Sequence, residues 1–324
     1  MDAGREMPRH PDSLLSKGTC QNGALKTIVM FRSFLKYAAI VIISIAFTAC
    51  TQEAGPEKWN IVFILADDLG WNQVGYHGTL YYETPNIDRI SAGGISFSNA
   101  YSANPVCSPT RASIMTGKNP ARLHLTDYIP GSPYPYAGLA TPVMAKCLPL
   151  EEVTLAELMK ENGYVTGHFG KWHLSPDKNY VPGRPFDPGS QGFDVVFTSV
   201  KPPPDAIPAA DAHHAIEITE RTLKFIEENR DKPFFAWVSH HVVHRPIMER
   251  KELIAKYEAK PGSDDPVNNP IMGAMIETMD DGIGQIMDKL EELGLTEKTI
   301  IIFYSDNGGF LQKNLSFLRW RMNF

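Results

Sequence analysis

The chain has 324 residues, of which 43% are hydrophobic and 10% aromatic, and its formal net charge is −6. That hydrophobic content is sufficient for a large folded core and excludes a disordered polymer. Residues 1–49 carry six Lys/Arg and three Asp/Glu, so the rest of the chain has a net charge near −9. A body this acidic argues against nucleic acid as a partner.

The N-terminal segment has the layout of an export signal. Arg32 and Lys36 precede an apolar run at 37–49, which is too short for a comfortable membrane span and has the length of a signal-peptide core. The run ends at Cys50 in a tetrad that resembles a bacterial lipobox, although an ordinary signal peptide cleaved near a cysteine would also fit. We therefore predict that residues 1–55 are a leader outside the fold. The protein would be an exported, periplasmic or outer-membrane lipoprotein of a bacterium, with a lipid anchor at Cys50 as its contact with the membrane.

The cysteine count excludes a disulfide framework. Cys20 lies in the predicted leader and Cys50 at the predicted processing site, which leaves Cys107 and Cys147 in the exported body. A single Cys107–Cys147 bridge in an oxidising compartment is the simplest explanation of this pair. Any chemical role for Cys107 must be weighed against that bridge.

The first half of the body alternates predicted strands and helices. Residues 59–68 form a continuous apolar run that ends in two acids, which is typical of a buried parallel strand. Pro109 in the first turn and Gly117 at the end delimit a helix over 108–117. The other elements predicted here are a strand over 94–102, an amphipathic helix over 148–163 with Leu155, Leu158 and Met159 on one face, and a strand leading into a loop over 163–173.

The second half repeats this alternation. Composition rich in Pro and Gly predicts loops over 175–191 and 201–210. Strands that alternate with helices predict a doubly wound α/β fold with a mostly parallel sheet and helices on both faces. In such folds the functional site lies at the carboxyl ends of the strands. The predicted strands of this half cover 193–200, 233–241 and 299–309, and the predicted helices cover 212–229 and 270–293.

Three of the predicted strands end in polar clusters. Asp67 and Asp68 follow the first strand, residues 239–244 follow a middle strand, and Asp306 and Asn307 follow the last. Carboxylate and amide oxygens are hard ligands that suit Ca²⁺ or Mg²⁺ better than Zn²⁺. Each cluster alone is weak evidence, because similar sequences are common in loops and turns. Together they predict a metal site at one edge of the sheet.

Cationic and histidine side chains are predicted to lie near the same edge. Cys107 begins a predicted helix, where backbone N–H groups and the helix dipole favour an anion. Arg111 lies four residues further along the same helical face and can reach the same point. Lys171 and His173 point to one side if their segment is extended. These residues predict an oxyanion site, and three histidines follow a buried strand near it: His240, His241 and His244.

Five motifs, in order along the chain, resemble those of the sulfatase family. The run from Cys107 to Arg111, continued by Ala-Ser-Ile-Met-Thr-Gly-Lys, is similar to the Cys-x-Pro-x-Arg signature of that family. The resemblance extends from about Asn60 to Gly309 and indicates an arylsulfatase-type, formylglycine-dependent sulfatase of the alkaline phosphatase superfamily. The remaining motifs resemble the second signature, the two metal strands and the histidine segment, at residues 163–173, 60–70, 300–309 and 233–246.

The resemblance implies a specific chemistry at Cys107. A maturation enzyme would oxidise this cysteine to Cα-formylglycine, whose hydrated gem-diol is the nucleophile. One diol oxygen would attack sulfur, the alcohol would leave, and the sulfated hemiacetal would collapse by elimination. The resemblance further implies a divalent cation, Ca²⁺ or alternatively Mg²⁺, held by the side chain of Cys107 and by Asp67, Asp68, Asp306 and Asn307.

The resemblance also assigns roles to four residues around the nucleophile. Arg111 would position and stabilise the diol, and Lys171 would bind the sulfate. His173 would assist the formylglycine cycle, and His244 is the matching member of the histidine segment. The expected substrates are sulfated small molecules or polysaccharide fragments, hydrolysed at the sulfate ester.

The chain departs from the family pattern after Asp306-Asn307-Gly-Gly. The family continues with a sulfate-contacting lysine and a smaller C-terminal subdomain, whereas Lys313 of this chain does not match that lysine. We therefore predict a catalytic domain over 56–310, an aberrant tail over 311–324 and a missing C-terminal subdomain. The expected consequence is poor folding or weak turnover.

Two other functions are open on the sequence alone. A phosphodiesterase or phosphonate hydrolase of the same superfamily would share the nucleophile and the metal. An inactive, truncated lipoprotein that only binds sulfated glycans would need neither of them. Specificity for one sulfate ester over another is expected in the loops over 128–149 and 175–210 and in the missing C-terminal part.

Overall fold

The computed structural model divides the chain into two units, residues 1–57 and 58–324. In the first unit, residues 30–32 and 34–38 are helical. Among the described residues, no helix is both long and apolar enough to cross a bilayer. The part of the predicted signal-peptide core beyond residue 38, Cys50 and the predicted tail lie outside the described residues. The structure describes residues 30–32, 34–38, 57–132, 134–208 and 211–309.

The second unit is built on a sheet of five parallel strands. The strand bounds are β1 Asn60–Ala66, β2 Val165–Gly170, β3 Val195–Thr198, β4 Phe234–Ser239 and β5 Thr299–Ser305. Their order across the sheet is β3-β2-β4-β1-β5, and every pair is parallel. β4 is buried along its whole length and β1 at all but one position, which is typical of strands covered on both faces.

Helices pack on both faces of this sheet, which confirms the predicted doubly wound α/β fold. Their bounds are α1 Pro85–Gly93, α2 Cys107–Thr116, α3 Leu155–Glu161, α4 Ala215–Glu228, α5 Lys251–Glu258 and α6 Pro270–Glu292. On one face, Val62 and Ile64 pack in a core cluster with residues of α4 and α6. On the other face, Phe63 and Leu65 pack with residues of α2 and α3.

One predicted strand is wrong. Residues 94–102 form no β-ladder, although their alternating apolar and polar side chains fit a strand. Ile95, Phe97 and Tyr101 are 81%, 76% and 82% exposed. A strand needs a neighbour to satisfy its backbone groups, and this segment pairs with neither of the two edge strands of the described sheet, β3 and β5.

The helix predicted over 148–163 is shorter than its sequence pattern. It begins at Leu155, because the Thr154 hydroxyl accepts the backbone N–H of Glu157 and the Glu157 carboxylate accepts that of Thr154. This capping box fixes the start of α3. Leu158 is 47% exposed, so its predicted place on the packed face is also wrong.

Candidate active site

Four strand ends meet at one edge of the sheet. Leu65 of β1 and Gly170 of β2 both pair in register with Ser239 of β4, and Ala66 of β1 pairs with Ser305 of β5. The residues that follow these pairs therefore emerge side by side. This carboxyl edge is where a doubly wound sheet places its functional site.

Three buried carboxylates and the Cys107 thiol converge at this edge. The ligand atoms of Asp67, Asp68, Asp306 and Cys107 all lie within 4.8 Å of one another. Asn307 donates from Nδ2 to Asp68 Oδ1 at 2.7 Å, while its Oδ1 is buried without a hydrogen-bond partner. An orphaned amide oxygen beside three carboxylates is a donor set that Ca²⁺ prefers. The residues present thus fit a hard divalent cation.

Two buried cations compensate part of the negative charge. Arg111 Nη2 lies 2.8 Å from Asp306 Oδ2 and 3.6 Å from Asp67 Oδ1. Lys171 Nζ donates to Asp67 Oδ2 at 2.6 Å. With Asp68, three carboxylates face two cations, so the ionised cluster keeps one net negative charge. A bound cation would offset that excess, since buried charge is costly unless it is compensated.

The carboxylates differ in how tightly they hold a proton. Burial opposes ionisation of Asp67, but the charges of Lys171 and Arg111 outweigh it and hold the pKa of Asp67 well below its usual value. Burial, followed by repulsion from Asp67, raises the pKa of Asp68 and of Asp306. Asp67 is therefore the most readily ionised of the three, and Asp68 and Asp306 keep their protons to a higher pH than an unperturbed aspartate does.

Cys107 is the first residue of α2, and its thiol lies among the carboxylates. Sγ donates to Asp67 Oδ1 at 3.2 Å. Burial, and then the negative charge of Asp67, raises the pKa of the Cys107 thiol, which is therefore protonated at neutral pH and a poor nucleophile. Cys107 and Cys147 are both free thiols, so the disulfide considered from the sequence is not formed.

The turn after β2 brings Lys171 to the site. Gly170 has a φ of +109°, and a Cβ there would collide with the carbonyl oxygen of Ser239. The close approach lets the Lys171 N–H donate to that carbonyl at 2.8 Å. The predicted strand followed by a loop is confirmed, since β2 ends at Gly170, but His173 has a positive φ, so the condition of an extended backbone over 171–173 is not met. The turn nevertheless places Lys171 Nζ on the carboxylate of Asp67.

His173 is held in one orientation by the backbone. Its φ is +59°, a left-handed conformation that histidine adopts more often than most residues. Nε2 lies 2.7 Å from the carbonyl oxygen of Ile129, and since that oxygen only accepts, Nε2 carries the proton. Nδ1 is buried without a partner, and burial, followed by the charge of Lys171, lowers the pKa of His173 to about 3. The ring is therefore neutral, with a lone pair at Nδ1.

The three histidines after β4 differ in their relation to the site. His244 Nε2 lies 3.9 Å from Asp68 Oδ2. His241 is buried, and its Nε2 lies 3.1 Å from the carbonyl oxygen and 3.0 Å from the hydroxyl of Ser199. His240 is fully buried, and neither of its ring nitrogens has a hydrogen-bond partner. Of this segment, His244 is therefore the histidine that lies beside the carboxylates.

Sequence reasoning gave no role to three groups that contact these residues. They are the Ser239 hydroxyl, which accepts from Arg111, the carbonyl of Ile129, and Ser199, which contacts His241. Ser239 and Ser199 could have been found from their positions at the ends of strands. Ile129 acts through its backbone, which motifs of side chains do not reveal.

Comparison with known proteins identifies the family of this chain. A family model for sulfatases matches residues 59–320. The chain belongs to the sulfatase family. Arylsulfatase A of Homo sapiens is 30% identical over 284 residues, which cover 77% of this chain and 52% of that protein. N-acetylgalactosamine-6-sulfatase of Homo sapiens is 29% identical over 279 residues, which cover 79% and 51%. The crystal structure of Ps i-CgsB in complex with k-i-k-neocarrahexaose matches with a TM-score of 0.63 at 26% identity, covering 78% of this chain and 59% of that one.

These similarities confirm the sulfatase family and the α/β fold predicted from the sequence. The sulfatase-family chain spans about half the length of the curated relatives that it matches. Its division into a leader, a catalytic domain and an aberrant tail stays a prediction, as does the missing subdomain. The roles of the individual site residues are taken up as proposals below.

Proposed function

We propose that this sulfatase-family chain hydrolyses sulfate esters with a formylglycine made from Cys107. The observation that carries the proposal is the convergence of the Cys107 thiol, three carboxylates and two cations at one buried point. A carboxylate cluster alone would fit many hydrolases. A buried, protonated thiol at its centre fits a residue that is modified before it acts as a nucleophile.

The divalent cation belongs at the carboxylate cluster. Ca²⁺ is the first candidate and Mg²⁺ the second, because the donors are hard oxygens. When bound, the ion supplies positive charge that stabilises the negative charge developing on a sulfate group. The groups that would hold it are the side chain at position 107, the carboxylates of Asp67, Asp68 and Asp306, and the Asn307 amide oxygen.

Two cationic side chains of this chain would act on the sulfate and the nucleophile. Hydrated formylglycine at position 107 supplies the hydroxyl that attacks sulfur. Arg111, which lies near Asp67 and Asp306, would orient that hydroxyl. Lys171 would hold a sulfate oxygen, because an ammonium group makes a short, charge-assisted hydrogen bond to an oxyanion.

Two histidines would move protons. The Nε2–H of His173 is occupied by the Ile129 carbonyl, so Nδ1 is the atom that would take a proton from the hydroxyl at position 107. The side chain of His244 is 24% exposed, against 8% for Lys171. A leaving alcohol departs toward solvent, so His244 is the group placed to protonate it.

The substrate in this proposal is a sulfated saccharide. Ps i-CgsB was crystallised with k-i-k-neocarrahexaose, and a human relative is named as an N-acetylgalactosamine-6-sulfatase. An exported protein would meet such polysaccharide fragments outside the cytoplasm. The apolar run at 37–49 and Cys50 support export with a lipid anchor. A maturation enzyme that makes formylglycine is the required partner.

Mass spectrometry combined with a turnover assay tests the proposal. The full chain is co-produced with a formylglycine-generating enzyme, and the mass of the peptide containing Cys107 is measured. We expect a loss of mass relative to the cysteine peptide, and calcium-dependent release of sulfate from N-acetylgalactosamine 6-sulfate. Cys107→Ala should lose both properties. The matched control Cys147→Ala should keep both, because Cys147 lies outside the cluster.

Three outcomes would contradict the proposal in different ways. An intact Cys107 thiol together with no release of sulfate would refute the formylglycine mechanism. Faster turnover of phosphate diesters or phosphonates than of sulfate esters would favour the other hydrolase chemistry of the superfamily. Binding of sulfated glycans without modification or turnover would leave only the glycan-binding lipoprotein.

A further inference from the structure

A loop that is hydrogen-bonded to residues of the candidate active site carries two tyrosines, Tyr128 and Tyr134. It consists of residues 127–132 and Tyr134 and is called here the Asp127 loop. The Ile129 N–H donates to the hydroxyl of Ser108, which follows the nucleophile in sequence, at 3.0 Å. The Ile129 carbonyl accepts from His173 Nε2 at 2.7 Å. The loop is thus attached at one residue to two neighbours of the nucleophile.

Asp127 fixes the shape of this loop. Its carboxylate accepts hydrogen bonds from the backbone N–H groups of Tyr128 and Ser132, at 2.8 and 3.1 Å, and from Tyr134 Oη at 2.9 Å. Tyr128 Oη and Ser132 Oγ share a further hydrogen bond at 2.5 Å. Because these bonds already hold the tyrosines, little conformational entropy would be lost when a ligand packs on them.

The loop leaves aromatic and cationic surface open. Tyr134 is 54% exposed although its hydroxyl is hydrogen-bonded, so much of its ring is accessible. Lys146 is exposed, and its Nζ donates to the carbonyl of Pro130 in the same loop at 2.5 Å. Tyr134 and Lys146 are thus both hydrogen-bonded to this loop, and an aromatic ring together with an ammonium group is complementary to a sugar ring that carries an anionic substituent. The apolar face of the sugar packs on the aromatic ring, and the ammonium group binds the anion.

We propose that the Asp127 loop binds the sugar ring of a sulfated saccharide, with Tyr134 against the ring and Lys146 at a second anionic group. The inference rests on the proposed function, since the sulfate ester under attack would lie beside position 107 and Lys171. Ile129, which contacts His173, lies next to Pro130, whose carbonyl accepts from Lys146, and two residues after Asp127, whose carboxylate accepts from Tyr134. The sugar bonded to that sulfate therefore lies within reach of the loop.

Binding to the calcium-loaded full chain tests the inference. Cys107 is left unconverted, so that the ligand is not hydrolysed, and dissociation constants are measured by isothermal titration calorimetry for N-acetylgalactosamine 6-sulfate and for inorganic sulfate. The saccharide should bind more tightly than inorganic sulfate. We expect Tyr134→Ala to raise the dissociation constant of the saccharide about fivefold, which is typical of losing one aromatic packing contact. The dissociation constant of inorganic sulfate, which does not reach the loop, should change far less.

Three further variants sharpen the experiment. Tyr134→Phe keeps the aromatic ring and loses the hydrogen bond to Asp127, so it should weaken binding of the saccharide less than Tyr134→Ala does. Tyr76→Ala removes a tyrosine that is 40% exposed on another segment, and as the matched control it should change neither ligand. Lys146→Gln should weaken binding of D-glucosamine 2-N,6-O-disulfate more than binding of the monosulfated sugar.

The outcomes separate this inference from the proposed function. Unchanged saccharide affinity in Tyr134→Ala would overturn the sugar site. An equal loss for the saccharide and for inorganic sulfate would also overturn it, because that result would indicate general damage to the pocket. If converted wild-type chain released no sulfate and the unconverted chain still bound the saccharide through Tyr134, the proposed hydrolysis would fail and the sugar site would stand.

Discussion

At the scale of single residues, the thiol at position 107 is poorly suited to act as a nucleophile. It is buried, donates to Asp67 and has a raised pKa, so little thiolate forms at neutral pH. A neutral gem-diol in the same place would also donate to Asp67 without adding negative charge to an acidic cluster. The surroundings of Cys107 therefore fit the modified residue at least as well as the encoded one.

Cys107 should consequently resist alkylation. In the folded, calcium-free and unconverted chain, iodoacetamide should modify Cys147 roughly tenfold faster or more, because Cys107 is 6% exposed and Cys147 is only half-buried. Burial raises the pKa of both thiols, and the negative charge of Asp67 raises that of Cys107 further. Peptide mass spectrometry over a time course measures both rates. In the denatured control the two thiols should react alike. Equal rates in the folded chain would show that Cys107 is not shielded.

At the scale of elements, the sequence predicted what depends on consecutive residues and missed what depends on distant partners. The apolar runs of β1 and β5 revealed both the strands and the carboxylates that follow them. Residues 94–102 have the alternating pattern of a strand but pair with no described strand, because pairing depends on distant partners as well as on the local pattern. The contact of Ile129 with His173 joins two loops, which no local pattern encodes.

The start of α1 shows the same dependence on a distant residue. Thr84 precedes the helix without capping it through its side chain. Asp280 of α6 caps it instead, accepting from the backbone N–H groups of Asn86 and Ile87 at 3.0 and 2.8 Å. These partners are separated by more than 190 residues in sequence. No reading of the residues around α1 could have predicted this cap.

Asp280 should make stability depend on pH. Burial raises its pKa to about 6, against 3.8 for the free side chain. The folded state therefore holds the proton more tightly, and the free energy of unfolding falls as the pH rises from about 4 to about 6, by up to about 3 kcal/mol. Asp280→Asn should remove the contribution of this one group. The loss of unfolding free energy between about pH 4 and about pH 7, measured by denaturant unfolding, should therefore be smaller in the variant than in the wild type by up to about 3 kcal/mol, while the other buried carboxylates keep their shares.

A matched variant controls that experiment. Asp288 lies on the same helix, and its side chain is 68% exposed, so Asp288→Asn should keep the pH dependence of the wild type. If the wild type and Asp280→Asn lost the same free energy between the two pH values, Asp280 would not be the titrating group.

At the scale of the whole molecule, the proposed cation site joins the segments that follow the first and the last described strands in chain order. Asp67 and Asp68 follow β1, and Asp306 and Asn307 follow β5, while Arg111 and Asp306 are 195 residues apart in sequence. A ligand shared by such distant segments stabilises the whole fold, because it binds the folded chain and not the unfolded one.

Calcium should therefore raise the melting temperature. At about 100 times the dissociation constant, binding would add about 2.7 kcal/mol, which corresponds to a rise of several degrees. Differential scanning calorimetry with calcium and with a chelator measures the rise. Asp306→Asn should lose most of it, and Asp205→Asn, at an exposed position, should keep it. A wild-type melting temperature that does not change with calcium would argue against a calcium site at the carboxylate cluster.

The shielding of Cys107 also sets an order of events in biosynthesis. The strand that completes the pocket is made long after the helix that carries the cysteine. If Cys107 is converted to formylglycine as proposed, the converting enzyme would have to reach it while the polypeptide is still open, before β5 docks. Alkylation rates of the open and the folded chain measure how completely docking ends that access, and maturation and folding would then compete in time for the same residue.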